Sequence, residues 1–185
     1  MGGAPDDSAP LEGRIRRATP LDVSEILGMV HDLAEYERAA HEAVATEEQF
    51  QQALFGPEPK VFAHVVEHPG PGGLRLGGFA LWFLNFSTWL GRHGVYLEDL
   101  YVRPELRGSG YGKQLLATLA AECVDNGYGR LDWWVLDWNA SSREFYEGQG
   151  AAALTEWIPY RVTGDALARL AAAGLDAGGA DIEAM

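Results

Sequence analysis

A glycine-rich heptapeptide with two cations separates an apolar strand from an amphipathic helix. It consists of Arg107, Gly108, Ser109, Gly110, Tyr111, Gly112 and Lys113. A glycine-rich turn that opens a helix lets backbone N–H groups approach phosphate oxygens, and the positive end of the helix dipole lies behind them. Arg107 and Lys113 add full positive charges. The segment therefore predicts a pyrophosphate-binding turn, and the alternative is a strand-to-helix turn without a ligand.

The spacing of this turn excludes two common phosphate loops. A P-loop needs glycine where Arg107 stands and a hydroxyl residue where Gln114 stands. A dinucleotide-binding fingerprint needs its third glycine at the position of Lys113. The pattern that fits is Arg-x-x-Gly-x-Gly, formed by Arg107, Gly110 and Gly112. This pattern resembles the acetyl-CoA loop of the GNAT acetyltransferase superfamily.

The elements around the turn follow from hydrophobic periodicity and from capping and turn residues. We predict strands over residues 14–17, 61–67, 74–86, 95–102 and 131–136, with two more short strands within 151–163. We predict helices over residues 19–37, 46–56, 111–126, 141–149 and 164–173. This order predicts a mixed α/β sheet with helices on both faces, and the GNAT resemblance implies that the sheet is mostly antiparallel. We expect one domain over residues 13–173, with flexible tails at 1–12 and 174–185.

Composition describes a globular chain with an acidic excess. It has 185 residues, a formal net charge of −13 and one cysteine. Nucleic-acid binding needs clustered Lys and Arg, which argues against such a partner, whereas a cationic substrate is compatible with this charge. We expect no membrane partner, because the apolar runs are too short to cross a bilayer, and no metal, because no ligand cluster is visible. Met1–Pro10 lacks signal-peptide features, so we expect a cytoplasmic location.

Several further segments make a narrower resemblance. They are collinear and extend over roughly residues 14–169: Leu33–Glu37, Gly78–Ala80, Trp89–Gly91, Tyr96–Asp99, the Arg107 loop, and Trp138 with Asn139. In these segments the chain resembles the diamine (spermidine/spermine) N-acetyltransferase family. The resemblance implies acetyl-CoA as co-substrate, a small amine as acceptor, and a homodimer.

The same resemblance implies which residues bind the cofactor. The backbone of Leu100, Tyr101 and Val102 would pair with the pantetheine arm as an added strand does. The loop from Arg107 to Lys113 would hold the pyrophosphate. Asn139 and Ser142 complete the implied set. The implied cofactor-binding residues are thus Leu100, Tyr101, Val102, Arg107, Gly108, Ser109, Gly110, Tyr111, Gly112, Lys113, Asn139 and Ser142.

A carboxylate and a phenol are the implied catalytic groups. A primary amine has a pKa of about 10, so roughly one molecule in a thousand is neutral at pH 7, about 4 kcal/mol uphill. A carboxylate beside the amine binds the ammonium and removes its proton, directly or through water. The family implies Glu98 as this base and Tyr146 as the acid that protonates the leaving CoA thiolate. Packing of the helix on the sheet is the alternative role for Tyr146.

Two adjacent acids on the strand bear on this assignment. Side chains of neighbouring strand residues face opposite sides of a regular sheet. One of Glu98 and Asp99 would then face the substrate while the other serves the structure, and a kink or bulge would change this arrangement. Direct transfer in a ternary complex needs no nucleophile from the enzyme, in agreement with the lack of a convincing Cys–His or Ser–His pair.

The implied amine-binding residues are Tyr36, Glu37, Trp89, Glu98 and Asp99. Trp89 and Trp138 are candidates for cation–π contact with the ammonium. The sequence departs from the family where Ser87-Thr88-Trp89 replaces an Asp-Pro-Trp segment, and where a late acidic pair is reduced to Glu156. Fewer carboxylates favour a smaller amine, or a basic amino acid such as a thialysine analogue, over a long polyamine.

Two alternatives from other functional classes stay open. The chain could bind acyl-CoA as a non-catalytic sensor, although the presence of both Glu98 and Tyr146 argues against that hypothesis. It could also acetylate protein lysines, which would require an open groove for a peptide.

Overall fold

The computed structural model describes residues 13–70 and 72–176 of the chain. The predicted tail over 1–12, and the predicted C-terminal tail beyond residue 176, lie outside the described residues. Contacts within the chain divide it into two compact units, residues 1–139 and residues 140–185. The first unit contains a sheet with three α-helices, and the described part of the second contains two helices.

Strands and helices of the first unit follow the predicted order. The strands are β1 (Arg14–Arg17), β2 (Val61–Gly70), β3 (Gly73–Ser87), β4 (Arg92–Val102) and β5 (Leu131–Asp132). The α-helices are α1 (Val23–Tyr36), α2 (Glu47–Phe55) and α3 (Tyr111–Asp125). Short 3-10 turns cover Pro20–Asp22, Ala40–Glu42 and Pro104–Leu106.

Local side-chain chemistry explains where the first helices begin. The Thr46 N–H donates to Gln49 Oε1 at 2.9 Å, and the Gln49 N–H donates to Thr46 Oγ1 at 3.3 Å, which together form a capping box. Ahead of α1, the Thr19 N–H donates to the Asp22 carboxylate at 2.7 Å. Both helix starts were predicted, because the residues that form them are close in sequence.

The five described strands form one sheet in the order β1-β2-β3-β4-β5. Neighbouring strands are antiparallel except β4 and β5, which are parallel. Alternate residues of β2 face different helices: Val65 belongs to the core cluster with Ile26 of α1, whereas His64 Nε2 lies 3.5 Å from Glu122 of α3. The structure thus confirms the predicted mixed, mostly antiparallel sheet with helices on both faces.

Strand predictions differ from the structure at the β5 edge of the sheet and at the β2–β3 hairpin. The strand predicted over 131–136 is reduced to Leu131–Asp132, which pair with Val95 and Tyr96 of β4. A register shift two residues further along β4 explains this early end, because a bulge bends the strand and disrupts pairing. The hairpin between β2 and β3 is tighter than predicted, with Gly70 paired to Gly73.

The second unit contains α4 (Ala140–Glu147) and α5 (Gly164–Asp176). Helix α5 extends three residues beyond its predicted end. The two strands predicted within 151–163 are wrong, since this described stretch has no strand. Pro159 cannot donate a ladder hydrogen bond, and the Trp157 N–H donates to the Leu154 carbonyl at 3.3 Å, which is a turn contact.

Candidate active site

A β-bulge in β4 sets the position of the two adjacent acids. Leu81 of β3 lies opposite Asp99, and the next residue, Trp82, lies opposite Leu97, so Glu98 is the additional residue of β4. A bulge breaks the alternation of side chains along a strand. The expectation that Glu98 and Asp99 face opposite sides held only for a regular strand, and the structure shows an irregular one at this position.

At this bulge, Asp99 lies close enough to two other carboxylates for their charges to act on it. Burial, followed by the negative charges of Glu98 and Glu37, raises the pKa of Asp99 to about 6. Burial also raises the pKa of Glu37, which directly follows α1. We call Glu37, Glu98 and Asp99 the acid cluster. Because these charges repel one another in a partly desolvated place, a bound ammonium would be stabilised there.

Aromatic side chains stand beside the end of α1. The Tyr36 hydroxyl donates to Asn139 Oδ1 at 3.3 Å, and the Tyr36 and Trp138 rings are 5.9 Å apart. The Arg38 guanidinium lies over the Trp138 ring, 5.6 Å from its centroid. The structure thus brings predicted residues Tyr36, Glu37 and Asn139 into one region with Trp138.

The edge of β4 that faces β5 has no strand partner beyond the bulge among the described residues. Leu100, Tyr101 and Val102 pair with β3 on their other side, while β5 pairs only with Val95 and Tyr96. An extended ligand with amide groups can add to such an edge by main-chain hydrogen bonds. This edge fits the role that the family resemblance implies for these residues, the binding of a pantetheine arm.

The glycine-rich loop opens α3 with a left-handed turn. Gly108 and Gly110 have φ values of 80° and 92°, a region that suits glycine. Gly110 is the N-cap of α3 and has no side chain to accept the first N–H groups of the helix. A Cβ atom added to Gly108 would meet no atom within 4 Å, so there is open space beside the loop. These features fit a phosphate.

Arg107 connects this loop to the end of β4. Its Nε donates to the Val102 carbonyl at 3.1 Å, and its guanidinium lies 5.5 Å from the Tyr36 ring centroid and 5.8 Å from that of Tyr101. The loop, the free strand edge and Tyr36 therefore adjoin one another. Lys113 is exposed on the first turn of α3.

Tyr111 differs from the rest of the loop because its side chain is part of the core. Its hydroxyl accepts the Gly13 N–H at 3.0 Å and lies 2.8 Å from His68 Nδ1. The ring is buried. The backbone N–H is thus the group through which Tyr111 would contact a phosphate. Ser109 Oγ likewise donates to a backbone carbonyl of its own loop, that of Leu106.

The structure does not bring Trp89 to the acid cluster of the same chain. Trp89 lies at the turn between β3 and β4, with 88% of its surface exposed. Ser87 pairs with Arg92 at the turn and Leu81 pairs with Asp99, so about 20 Å of strand separates the two places at ~3.3 Å per residue. The predicted contact of Trp89 with the amine therefore requires another molecule or a large rearrangement.

Tyr146 and Ser142 belong to α4 in the second unit. The Tyr146 and Phe145 ring centroids are 5.2 Å apart. The Ala151 N–H donates to the Tyr146 carbonyl at 3.2 Å, and Gly150 has a φ of 89°, so the chain turns directly after this helix. Both residues lie on one short helix, as predicted.

Sequence reasoning missed the conformation of Arg38. Its φ of 62° is the one positive value among the described non-glycine residues. The Arg38 N–H donates to the Glu35 carbonyl and the Ala39 N–H to the Ala34 carbonyl, which is the Schellman pattern at the end of α1. Glycine usually occupies this position, and its absence removed the signal that would have located the turn.

Comparison with known proteins shows the family of this chain and several relatives. A model described as the acetyltransferase (GNAT) family matches residues 26–151. The chain belongs to the GNAT acetyltransferase family. A thialysine N-epsilon-acetyltransferase of Bos taurus is 37% identical over 85% of this chain and 96% of its own. An L-ornithine N5-acetyltransferase of Arabidopsis thaliana is 34% identical over 83% of this chain and 86% of its own.

The solved structures show the same fold. An integron cassette protein from the mobile metagenome of V. cholerae superposes with a TM-score of 0.71 and 25% identity, over 88% of this chain and 99% of that one. Both resemblances inferred from the sequence are confirmed. GNAT acetyltransferases use acetyl-CoA as co-substrate, and the free edge of β4 and the loop before α3 fit that molecule.

The described residues include neither a membrane-spanning helix nor a metal-binding cluster. No helix there has both the length and the apolar character needed to cross a membrane. No group of three or more His, Cys, Asp or Glu residues there is arranged to hold a metal ion.

Proposed function

We propose that this enzyme transfers an acetyl group from acetyl-CoA to the primary amine of a small cationic substrate, by direct attack in a ternary complex. The observation that carries this proposal is the acid cluster at the β4 bulge, next to a free strand edge and a glycine-rich helix start. The cluster supplies negative charge for an ammonium, and the edge and loop supply N–H groups for a pantetheine arm and a pyrophosphate.

Glu98 is the proposed general base. Its side chain is exposed, and it is the additional residue of the bulge, with no β3 residue opposite it. Asp99 and Glu37 hold the ammonium by charge, and Glu98 then takes its proton, directly or through one water. The neutral nitrogen attacks the acetyl carbonyl carbon, and the thioester C–S bond breaks.

Tyr146 is the proposed acid for the thiolate that leaves. A thiol with a pKa of about 8.5 is a fair leaving group at neutral pH, so proton donation helps moderately. This assignment rests on the resemblance to the superfamily, in which a tyrosine on the corresponding helix has that role. Ser142, on the same helix, and Asn139 are assigned to the cofactor on the same ground.

The substrate is proposed to be a small amine or a basic amino acid. The two relatives above are named for thialysine and L-ornithine, which are amino acids with a terminal amine. In this chain Ser87 is buried and its hydroxyl accepts the Leu90 N–H at 3.2 Å, so it serves the hairpin turn. With no carboxylate at Ser87, a long polyamine would lack one anchor.

A cytoplasmic homodimer is the proposed working form. The thiol of Cys123 is buried and not in a disulfide. Phe86, Trp89 and Leu90 are exposed together at one hairpin, and a partner subunit would cover this apolar surface. In such a dimer, Trp89 would contact the amine in the other protomer, because it lies far from the acid cluster of its own chain. Sedimentation velocity should give the mass of two chains for the wild type. For Trp89→Ser, the measured mass should shift towards that of one chain. A monomeric wild type would contradict the proposed homodimer.

The experiment for the main proposal is a thiol-release assay with acetyl-CoA. The acceptors are thialysine, ornithine, lysine, putrescine, spermidine and a lysine-containing peptide. The proposal predicts turnover with small amines or amino acids, and little with the peptide. Turnover of the peptide alone would favour protein acetylation. No thiol release with any acceptor, while calorimetry shows that acetyl-CoA binds, would favour an acyl-CoA sensor.

A further inference from the structure

Arg38 has a conformation and a position that the proposed chemistry leaves unexplained. It directly follows Glu37 of the acid cluster, and its backbone is left-handed, with a φ of 62°. Glycine adopts this conformation without steric cost, whereas a residue with a Cβ does not. Strained residues of this kind concentrate at ligand-binding positions. Because glycine would suit this backbone better, the presence of arginine indicates a function for its side chain.

That side chain carries a charge without an anionic partner among the described residues. Its guanidinium lies over the Trp138 ring, and no hydrogen bond or ion pair to it is found there. The other two arginines near this region are engaged. Arg103 donates to the Leu76 carbonyl at 2.7 Å and lies 3.5 Å from Glu25, and Arg107 donates to the Val102 carbonyl.

Stacking on tryptophan suits a guanidinium that binds a carboxylate. An arginine held against an aromatic ring keeps its planar set of N–H donors, which matches the two oxygens of a carboxylate. Trp138 in turn packs near Tyr36 at 5.9 Å. Trp138 therefore holds the Arg38 guanidinium near Tyr36, one of the predicted amine-binding residues.

The site then has opposite charges at two neighbouring places. Glu37 and Arg38 are adjacent, and consecutive Cα atoms are about 3.8 Å apart. The negative charges that raise the pKa of Asp99 come from Glu98 and Glu37. These adjacent residues of opposite charge can therefore contact the two ends of one small substrate, with an ammonium at the acid cluster and a carboxylate at Arg38.

We infer that Arg38, stacked on Trp138, binds the α-carboxylate of an amino-acid substrate whose terminal amine lies at the acid cluster. Arg38 then selects basic amino acids over diamines and polyamines, which carry no carboxylate. The inference rests on the proposed amine acetylation and names its substrate class as α-amino acids with a terminal primary amine.

Matched pairs of acceptors test this directly. Ornithine and putrescine differ by one carboxylate, as do lysine and cadaverine. Arg38→Gly removes the cation and suits the left-handed turn, so folding is not at risk. We expect its KM to rise at least tenfold for ornithine and lysine, with the KM for putrescine and cadaverine changed less than twofold. Arg38→Lys keeps the charge and should recover part of the loss.

Lys60→Ala is the control for net charge, because Lys60 is an exposed cation whose nearest anion is Glu58 at 3.8 Å; we expect no change with either class of acceptor. Equal losses for the amino acid and its diamine in Arg38→Gly would make Arg38 a structural residue and overturn the inference. No loss with either would also overturn it. If the wild type acetylates none of the four acceptors, the proposed function itself fails.

Discussion

At the scale of single residues, the central feature is the acid cluster, in which the charges of two carboxylates act on a third. Asp99 has a pKa of about 6 because of burial and of Glu98 and Glu37. Glu98 is exposed, and water can therefore connect it to a bound amine. A cation that enters this cluster gains charge interactions, and its proton has a base within reach. Catalysis requires negative charge that binds the ammonium, which Asp99 and Glu37 supply. It also requires an accessible base, which is Glu98.

Glu98→Gln removes the proposed base and keeps the size of the side chain. We expect kcat/KM for the best amine to fall about 100-fold at pH 7, the lower range for loss of a general base. The loss should shrink as pH approaches the pKa of the amine, because the substrate is then already neutral. Stopped assays from pH 6.5 to 9.5 measure this profile.

The matched control for that variant is Glu58→Gln, which removes an exposed carboxylate far along the sequence from the cluster. It should retain wild-type kinetics. An unchanged rate in Glu98→Gln would remove Glu98 from the mechanism, and a loss independent of pH would indicate a role in binding instead.

At the scale of elements, two features position the proposed cofactor: the edge of β4 beyond the bulge and the glycine-rich start of α3. The bulge ends the pairing of β5 and so leaves Leu100–Val102 with one free side. The left-handed Gly108 and Gly110 turn the chain into α3. Both elements are needed, because the β4 edge would bind the pantetheine arm of acetyl-CoA and the start of α3 would bind its pyrophosphate.

Gly108→Ala tests the loop, with Gly127→Ala as a control at the opposite end of α3. Both glycines have positive φ, 80° and 66°, and an added Cβ at either meets no atom within 4 Å. Each substitution should therefore lower the free energy of unfolding by a similar ~1 kcal/mol of backbone strain. We expect Gly108→Ala to raise the KM for acetyl-CoA at least fivefold, and Gly127→Ala to leave it unchanged.

Chemical denaturation and steady-state kinetics measure the two effects separately. If both variants raise the KM for acetyl-CoA equally, the loop has no special part in binding. If neither does, the Arg-x-x-Gly-x-Gly pattern is only a turn.

These elements also show what the sequence could and could not predict. The capping residues Thr46 and Gln49 and the loop glycines act within a few positions, so their effects are visible in the sequence. The bulge at Glu98 arises from the register between β3 and β4, which no local pattern specifies. The left-handed turn at Arg38 lacks its usual glycine, and the shortness of β5 follows from the bulge.

At the scale of the whole molecule, buried His64 and partly buried Asp99 make opposite contributions to stability as pH changes. Burial, with a smaller effect of Arg17, lowers the pKa of His64 to about 4. Its imidazole is neutral when folded, and Nδ1 accepts the Trp82 Nε1–H at 3.2 Å. Below pH 6.5 the unfolded chain binds a proton there that the folded chain does not, so this contribution to stability is lost as pH falls towards 4.

Asp99 acts in the opposite direction over almost the same range. Its pKa is raised from 3.8 to about 6 on folding. Between these values the folded chain holds a proton that the unfolded chain has released, so stability is lost as pH rises towards 6. A shift of about two units corresponds to at most roughly 3 kcal/mol. The two contributions largely offset each other in the wild type.

Asp99→Asn should therefore remove the contribution of Asp99 and leave that of His64. We expect its melting temperature, relative to that of the wild type, to increase as pH rises from 4 to 7, because the variant has no buried carboxyl to ionise. Differential scanning calorimetry at half-unit pH steps measures this difference. A difference that stays constant with pH would mean that Asp99 does not titrate in this range.

The most direct test of the central claim is the identity of the product. The wild-type protein is incubated with acetyl-CoA and thialysine or ornithine, and the acceptor is analysed by mass spectrometry and NMR. The account predicts one acetyl group, on the terminal nitrogen, with an equal amount of free CoA. Acetylation at the α-nitrogen, or no acetylated product with these or the diamine acceptors while acetyl-CoA binds, would contradict it.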